Sequence, residues 1–176
     1  MTITRPSGFR GIFRVDDIAR AVYSEGAGIA RIIPRAIAVP VDATDAMTLV
    51  SWARDTVTPL IARGSGSGMA GAAIGDGVIV DLSRMRDISQ VDLKSRTIPV
   101  GPGVTWQEVE SAARACDLRF PPDPSSGAFC SIGGMVSTNA SGSHSLKYGV
   151  TRNWVQALDC IFEDGTRATV RRGAPA

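Results

Sequence analysis

Between Leu60 and Gly77 the chain reads LIARGSGSGMAGAAIGDG, an apolar run opening into a loop with glycine at nearly every second position. GVIVDLS follows at once and reads as a strand. That pairing restricts the fold sharply. A dinucleotide-binding turn of the G-x-G-x-x-G type must open into a helix whose N-terminus faces a pyrophosphate. The residues after Gly68, MAGAAIGDG, leave too little chain for one. A Walker loop fails too, because no Gly-Lys-Ser/Thr follows. What remains is a strand–loop–strand connection whose successive N–H groups converge as an anion-binding nest. Glycine permits the positive backbone angles that a nest needs. Ser65 and Ser67 add hydroxyl donors, and Arg63 either pairs with an anion or braces the loop. The plain alternative is a flexible hairpin loop.

The flanking segments supply a frame. RAIAVP reads as a short strand ended by Pro40. DATDAMTLVSWARD places Ala46, Leu49, Val50 and Ala53 at helical spacing behind an Asp/Thr cap. TPLIAR returns as a strand, which makes a β-α-β unit followed by GVIVDLS. Upstream, DDIARAVYSEG reads as a short helix closed by Gly26. Downstream, TIPVGPG reads as a strand into a turn, and TWQEVESAARACD as a helix opened by a Thr105/Glu108 capping box. WVQALDCIFEDGTRATVRR closes the chain as two alternating strands around EDGT.

Residues 121–149 show no sustained period and are rich in Gly, Ser and Pro. So long a structureless stretch in a compact domain implies function or disorder, and the apolar AFCSIGGMV speaks against disorder. A buried irregular backbone needs partners for its N–H groups, and a bound ligand is one. The segment DPSSGAFCSIGGMVSTNASG carries two small-residue clusters, Ser125-Ser126-Gly127 and Ser131 through Gly142. Two such loops in one chain suit the two ends of one extended anionic ligand.

Composition excludes several classes. With 44% hydrophobic and 20% charged residues, the chain has the make-up of a globular protein. Its net charge of +2 and scattered arginines make no basic stripe, so no nucleic-acid partner is expected. No apolar run approaches the roughly 18 residues of a membrane span, and the N-terminus lacks a signal-peptide core. Three cysteines without metal-like spacing read as reduced thiols, and a cytoplasmic location is expected.

The ordered set ARGSGSGMAG, VIVDLSRM, VGPGVTWQEVE, PPDPSSGAFCSIGGMVSTNASG, KYGVTRNWV and FEDG resembles the FAD-binding domain of FAD-linked oxidases. That family includes D-lactate dehydrogenases, the flavin subunit of glycolate oxidase and alkylglycerone-phosphate synthase. The resemblance covers roughly residues 34–170. It implies an α+β fold, a two-lobed FAD-binding PCMH-type domain that is C-terminally incomplete. Residues 1–33 would be an N-terminal extension, 34–87 the first lobe and 88–176 a partial second lobe.

By the same resemblance, Arg63, Gly64, Ser65, Gly66, Ser67 and Gly68 would wrap the FAD pyrophosphate. Pro124, Ser125, Ser126, Ser131, Gly133, Gly134, Thr138, Asn139, Ala140, Ser141 and Gly142 would hold the flavin and the rest of the diphosphate, with Ile161 near the nucleotide. Members that attach flavin covalently through the first loop place a histidine where this chain has Ser67, so non-covalent FAD is expected. Met135 stands where many relatives have asparagine.

The glutamate-glycine-x-x-glycine turn and the substrate-binding cap that follow in relatives are absent from this sequence. The catalytic residues are therefore unassigned. The expected activity is oxidation of a D-2-hydroxy acid such as lactate or glycolate. Three alternatives stand beside it: a non-catalytic nucleotide-binding fragment, a split subunit needing a second chain with the cap, and an ether-lipid synthase-like flavoprotein. An exposed sheet edge would favour a homodimer. His144, the only histidine, reads as a loop residue near cofactor or solvent. Asp123 has no evident carboxylate partner, and Trp154 is taken to begin the last strand.

Overall fold

In a computed structural model of the chain, residues 3–173 are described. Short apolar runs dictate the first sheet. Ile12–Arg14 forms β1, Ala36–Val39 forms β2, Leu60–Arg63 forms β3 and Val78–Asp81 forms β4. The sheet order is β1-β2-β4-β3, with β1 antiparallel to β2 and the other pairs parallel. All residues of β2 and β4 are buried, as continuous apolar strands covered on both faces must be.

The two-residue side-chain period sorts β2 between two cores. Ala36 and Ala38 join Phe9, Leu49, Val78 and Val80 on one face. There the helix Ala43–Asp55 (α2) supplies Leu49, and Trp52 packs at the margin. Ile37 and Val39 face Ala19 of the helix Asp17–Val22 (α1), with Tyr23 at their edge. β1, which residues 1–33 give no sign of in the sequence, completes the edge. Beside it the buried Asp45 accepts hydrogen bonds from the amides of Arg10 (2.7 Å), Gly11 (2.9 Å) and Val41 (3.1 Å).

The glycine loop is a crossover between parallel strands, since β3 and β4 run side by side with Arg63 opposite Asp81. The hairpin alternative is thereby overturned: an antiparallel turn cannot join strands that point the same way.

The expected capping box is present. Thr105 precedes the helix Trp106–Arg114 (α3), and its backbone and hydroxyl both engage Glu108. TIPVGPG does not form a strand. Only the isolated bridges Ile88–Val100 and Asp92–Thr97 occur, because Pro99 and Pro102 remove ladder donors.

Residues 121–149 hold two helices, Ile132–Thr138 (α4) and Ser145–Tyr148 (α5), correcting the expectation of no regular structure. Trp154 ends a 3₁₀ turn over Thr151–Trp154 rather than starting a strand. Ala157–Ile161 (β5) and Arg167–Arg171 (β6) form the expected antiparallel hairpin. Its turn rests on α2, where Arg54 donates to the Asp164 carbonyl at 2.8 Å.

Candidate functional site

β3 delivers the chain into the glycine loop at Arg63. That side chain braces the loop rather than projecting from it. Nη1 donates to the carbonyls of Glu25 (2.8 Å) and Ala73 (3.2 Å), and the guanidinium lies 5.3 Å from the centroid of the Tyr23 ring. Gly66 has φ +73°, and a Cβ there would stand 2.6 Å from Arg63 Nη2. Both backbone and space therefore demand glycine at 66. Gly68 differs: its φ is not positive, and a Cβ would meet nothing within 4 Å. The fold itself does not require glycine there, whereas a group approaching the backbone from outside would. Ser65 Oγ donates to Ser67 Oγ at 3.2 Å.

The second loop is built on turns. The Pro124 carbonyl accepts from the Gly127 amide at 2.8 Å, and the Ser126 carbonyl from the amides of Phe129 and Cys130, both at 2.8 Å. Ser125 lies exposed between them. Ser131, buried, bridges to Thr105 and caps α4 by accepting from the Gly134 amide at 3.3 Å. The amides of Ile132 and Gly133 donate to the carbonyls of Val104 (2.7 Å) and Pro102 (2.9 Å). A Cβ at Gly133 would come 2.7 Å from the Pro102 Cβ, and one at Gly134 3.2 Å from Ser131 Oγ.

Past the helix, Thr138 Oγ1 donates back to the Gly134 carbonyl at 2.9 Å. Asn139 ends α4 with φ 48°, its side-chain oxygen accepting from the Arg152 amide at 3.0 Å. The Ala140 carbonyl accepts from both the amide (3.0 Å) and the hydroxyl (2.7 Å) of buried Thr151. Ser141 is exposed, and the Gly142 amide donates to Ser145 Oγ at 2.8 Å.

Asp123 ties down the far end of this loop. Its carboxylate accepts from Ser143 Oγ (3.1 Å), the His144 amide (3.2 Å) and His144 Nδ1. Burial pushes the Asp123 carboxyl up, but these hydrogen bonds outweigh it and hold the group below the usual carboxylate range. The partner unseen in sequence is thus the lone histidine. Nearby, Arg119 and Lys147 lie over the Tyr148 ring, and Trp154 Nε1 donates to the Tyr148 carbonyl at 3.0 Å.

The two loops touch. A Cβ at Gly64 would overlap Ser131 Oγ and stand 3.1 Å from Ser131 Cβ. Ile161 is half-buried on β5, in register with Arg167. Two segments outside the sequence-based site also shape it: residues 101–105 beneath α4, and residues 23–28 beside the glycine loop. The second left a faint signal in the glycines of SEGAG, which sequence reasoning used only to end a helix. Main-chain amides, clustered hydroxyls and a glycine open to approach make a donor set that fits a phosphate-bearing group. No cluster of His, Cys, Asp or Glu suited to a metal ion occurs among the described residues. None of the described helices is long and apolar enough to cross a membrane.

Comparison with known proteins agrees with this chemistry. Residues 34–171 match the family described as FAD binding domain. The D-2-hydroxyglutarate dehydrogenase of Pseudomonas putida is 35% identical over 167 residues, which is 93% of this chain and 17% of that protein. The D-lactate dehydrogenase of Archaeoglobus fulgidus is 32% identical over 141 residues, 76% of this chain and 31% of that one. The chain therefore spans less than a third of the length of these relatives. Among solved structures, an alkyldihydroxyacetonephosphate synthase superposes with a TM-score of 0.81 at 23% identity, covering 93% of this chain and 33% of the other. The expected α+β architecture of FAD-binding PCMH-type oxidases is borne out. With both glycine loops inside the matched span, the chain belongs to the FAD binding domain family.

Proposed function

We propose that the chain is the FAD-binding portion of a flavin-dependent oxidoreductase that oxidises a D-2-hydroxy acid. The observation that carries this is the junction of two glycine loops at Gly64 and Ser131, in a chain whose relatives are named for D-2-hydroxyglutarate and D-lactate. The amides of Gly64–Gly68 hold the pyrophosphate, assisted by the hydroxyls of Ser65 and Ser67. Residues Pro124–Ser126, Ser131, Gly133, Gly134 and Thr138–Gly142 hold the flavin and the rest of the diphosphate, with Ile161 toward the nucleotide. Arg63 acts from behind, fixing the loop through the carbonyls of Glu25 and Ala73. Bound FAD supplies acceptance of a hydride from the carbinol carbon. The protein's share is placement and shielding, and Ser67, which offers no histidine linkage, keeps FAD non-covalent. The site lies in a cytoplasmic protein.

A second reading concerns assembly. The β5–β6 hairpin is exposed over nearly its whole length, with Leu158, Phe162 and Val170 open to solvent. That surface favours a partner, either a chain carrying the substrate-binding cap or a second copy of this one. The ether-lipid synthase alternative rests on shared fold alone.

A visible spectrum recorded after gel filtration with added FAD tests the site. A retained flavin spectrum is expected, and a colourless protein refutes it. Gly66→Val, which places a β-branched residue at φ +73° against Arg63, abolishes retention. Unchanged affinity in that variant would count against the nest.

A further inference from the structure

The matched span begins at residue 34, yet the glycine loop is held from outside it. The Ala27 amide donates to the Gly66 carbonyl at 3.0 Å. A Cβ at Gly26 would come 3.1 Å from that same carbonyl, and one at Gly28 would overlap the Met69 carbonyl. The Glu25 carbonyl takes Arg63 Nη1, and the Tyr23 ring lies under the same guanidinium. Tyr23 Oη donates to Asp81 Oδ2 at 2.5 Å, at the end of β4 opposite Arg63. The strap is itself closed. Glu25 bridges to Arg31, and the Ile32 amide donates to the carbonyl of fully buried Ser24 at 2.9 Å.

From this geometry we infer that residues 23–28 are a positioning strap that sets the phosphate affinity of the glycine loop by fixing the Gly66–Ser67 peptide. In a trans peptide the carbonyl and the following N–H point to opposite sides. No cis bond occurs among the described residues. Holding the Gly66 carbonyl on Ala27 therefore turns the Ser67 N–H away from the strap, to the side from which a phosphate approaches. Gly66 at φ +73° lets the chain make that turn. Tyr23 and Arg63 keep the strap and the strand ends in one register, so the N–H direction is set before any ligand arrives. The strap is a positioning element and touches no ligand itself. The inference rests on the proposed FAD site.

Three variants test it. Ala27→Pro deletes the donor to Gly66, Tyr23→Phe deletes the hydroxyl on Asp81, and Ile29→Ser alters a fully exposed residue just past the strap as control. The first readout needs no ligand: hydrogen exchange of the amides of residues 64–70 in the full chain. Loss of one backbone bond should speed exchange about fivefold to tenfold in Ala27→Pro, less in Tyr23→Phe, and not in Ile29→Ser. The second readout compares dissociation constants for FAD and for riboflavin, which lacks the diphosphate. FAD binding should weaken about fivefold to tenfold while riboflavin binding holds. Equal weakening of both ligands, or unchanged loop exchange, overturns the strap. A parent chain that retains no FAD refutes the cofactor site but leaves the exchange test standing. If circular dichroism shows Ala27→Pro unfolded, Tyr23→Phe carries both readouts.

Discussion

Replacing Gly64 with alanine tests whether the two loops meet as described. Gly64 is not at positive φ, so its backbone accepts alanine, and stiffening the unfolded chain would by itself add about 0.4–1 kcal/mol of stability. The new Cβ, however, would overlap Ser131 Oγ and lie 3.1 Å from Ser131 Cβ. Rotating the hydroxyl away abandons the Gly134 amide, a cap worth about 1 kcal/mol. The Cβ pair stays crowded after that rotation, and parting the loops to relieve it costs about 1–3 kcal/mol. The clash wins, and the net loss is about 2 kcal/mol. For a chain of this size that is a fall of about 4–8 °C in Tm.

Ser131→Ala alone should cost about 1 kcal/mol, the cap. In the double variant there is no hydroxyl left to displace, so its cost should fall short of the sum of the single ones by about 1 kcal/mol. Urea unfolding of the four proteins measures this coupling. Additivity within about 0.5 kcal/mol would show that Gly64 and Ser131 do not touch, and the two-loop site would fall with it.

Other expectations follow from single groups. Asp45→Ala removes a buried carboxylate that holds three amides around the β1 edge, and should cost about 3 kcal/mol or more, seen as a lower urea midpoint with an unchanged slope. Glu108 is held down to about 2 from its usual 4.5, first by the Thr105 amide, then by Arg86 and the Thr105 hydroxyl. A depressed carboxyl stabilises above its unfolded value, and that stability disappears as pH falls from 4.5 toward 2. The urea midpoint of the parent should therefore drop more steeply over that window than that of Glu108→Gln. Equal slopes would refute the capping role. Asp123→Asn weakens the tie to His144 and Ser143, so proteolysis within 139–146 should quicken while α2 stays protected. Unchanged cleavage would show that the tie does not restrain the loop.

Sequence reading succeeded where periodicity is strong. The alternation in the hairpin, the helical spacing of Ala46, Leu49 and Ala53, and the Thr105/Glu108 box are local patterns whose physics needs no distant partner. α4 stayed hidden because Gly133 and Gly134 suppress helix propensity by about 1 kcal/mol each, and the close neighbour of Gly133, Pro102, is remote in sequence. β1 is three residues long and mostly exposed, too short to show a period. The parallel course of β3 and β4 was illegible because a crossover and a long hairpin look alike along the chain. Within the site, glycine and serine content marked both loops. Their junction at Gly64, the tie from Asp123 to His144 and the strap at 23–28 depend on contacts that no spacing encodes.

The parallel pairing of β3 with β4 gives the sheet two rims of unlike character. At the rim where these strands begin, the Arg35 amide donates to the Gly77 carbonyl and the Val78 amide to the Pro59 carbonyl, both at 2.8 Å, and a Cβ at Gly77 would collide with that same proline. Nothing can be inserted there without unpicking main-chain bonds. At the rim where they end, Gly68 has free space beside it and Met69 stands well out in solvent. Substitution is cheap at 68 and 69, whereas Gly64, Gly66 and Gly71 of the same rim and Gly77 of the other are held by contact or backbone angle. What the loop grips can be retuned by rewriting residues 68–70, while a change at the opposite rim disturbs the seam that holds the strands in register.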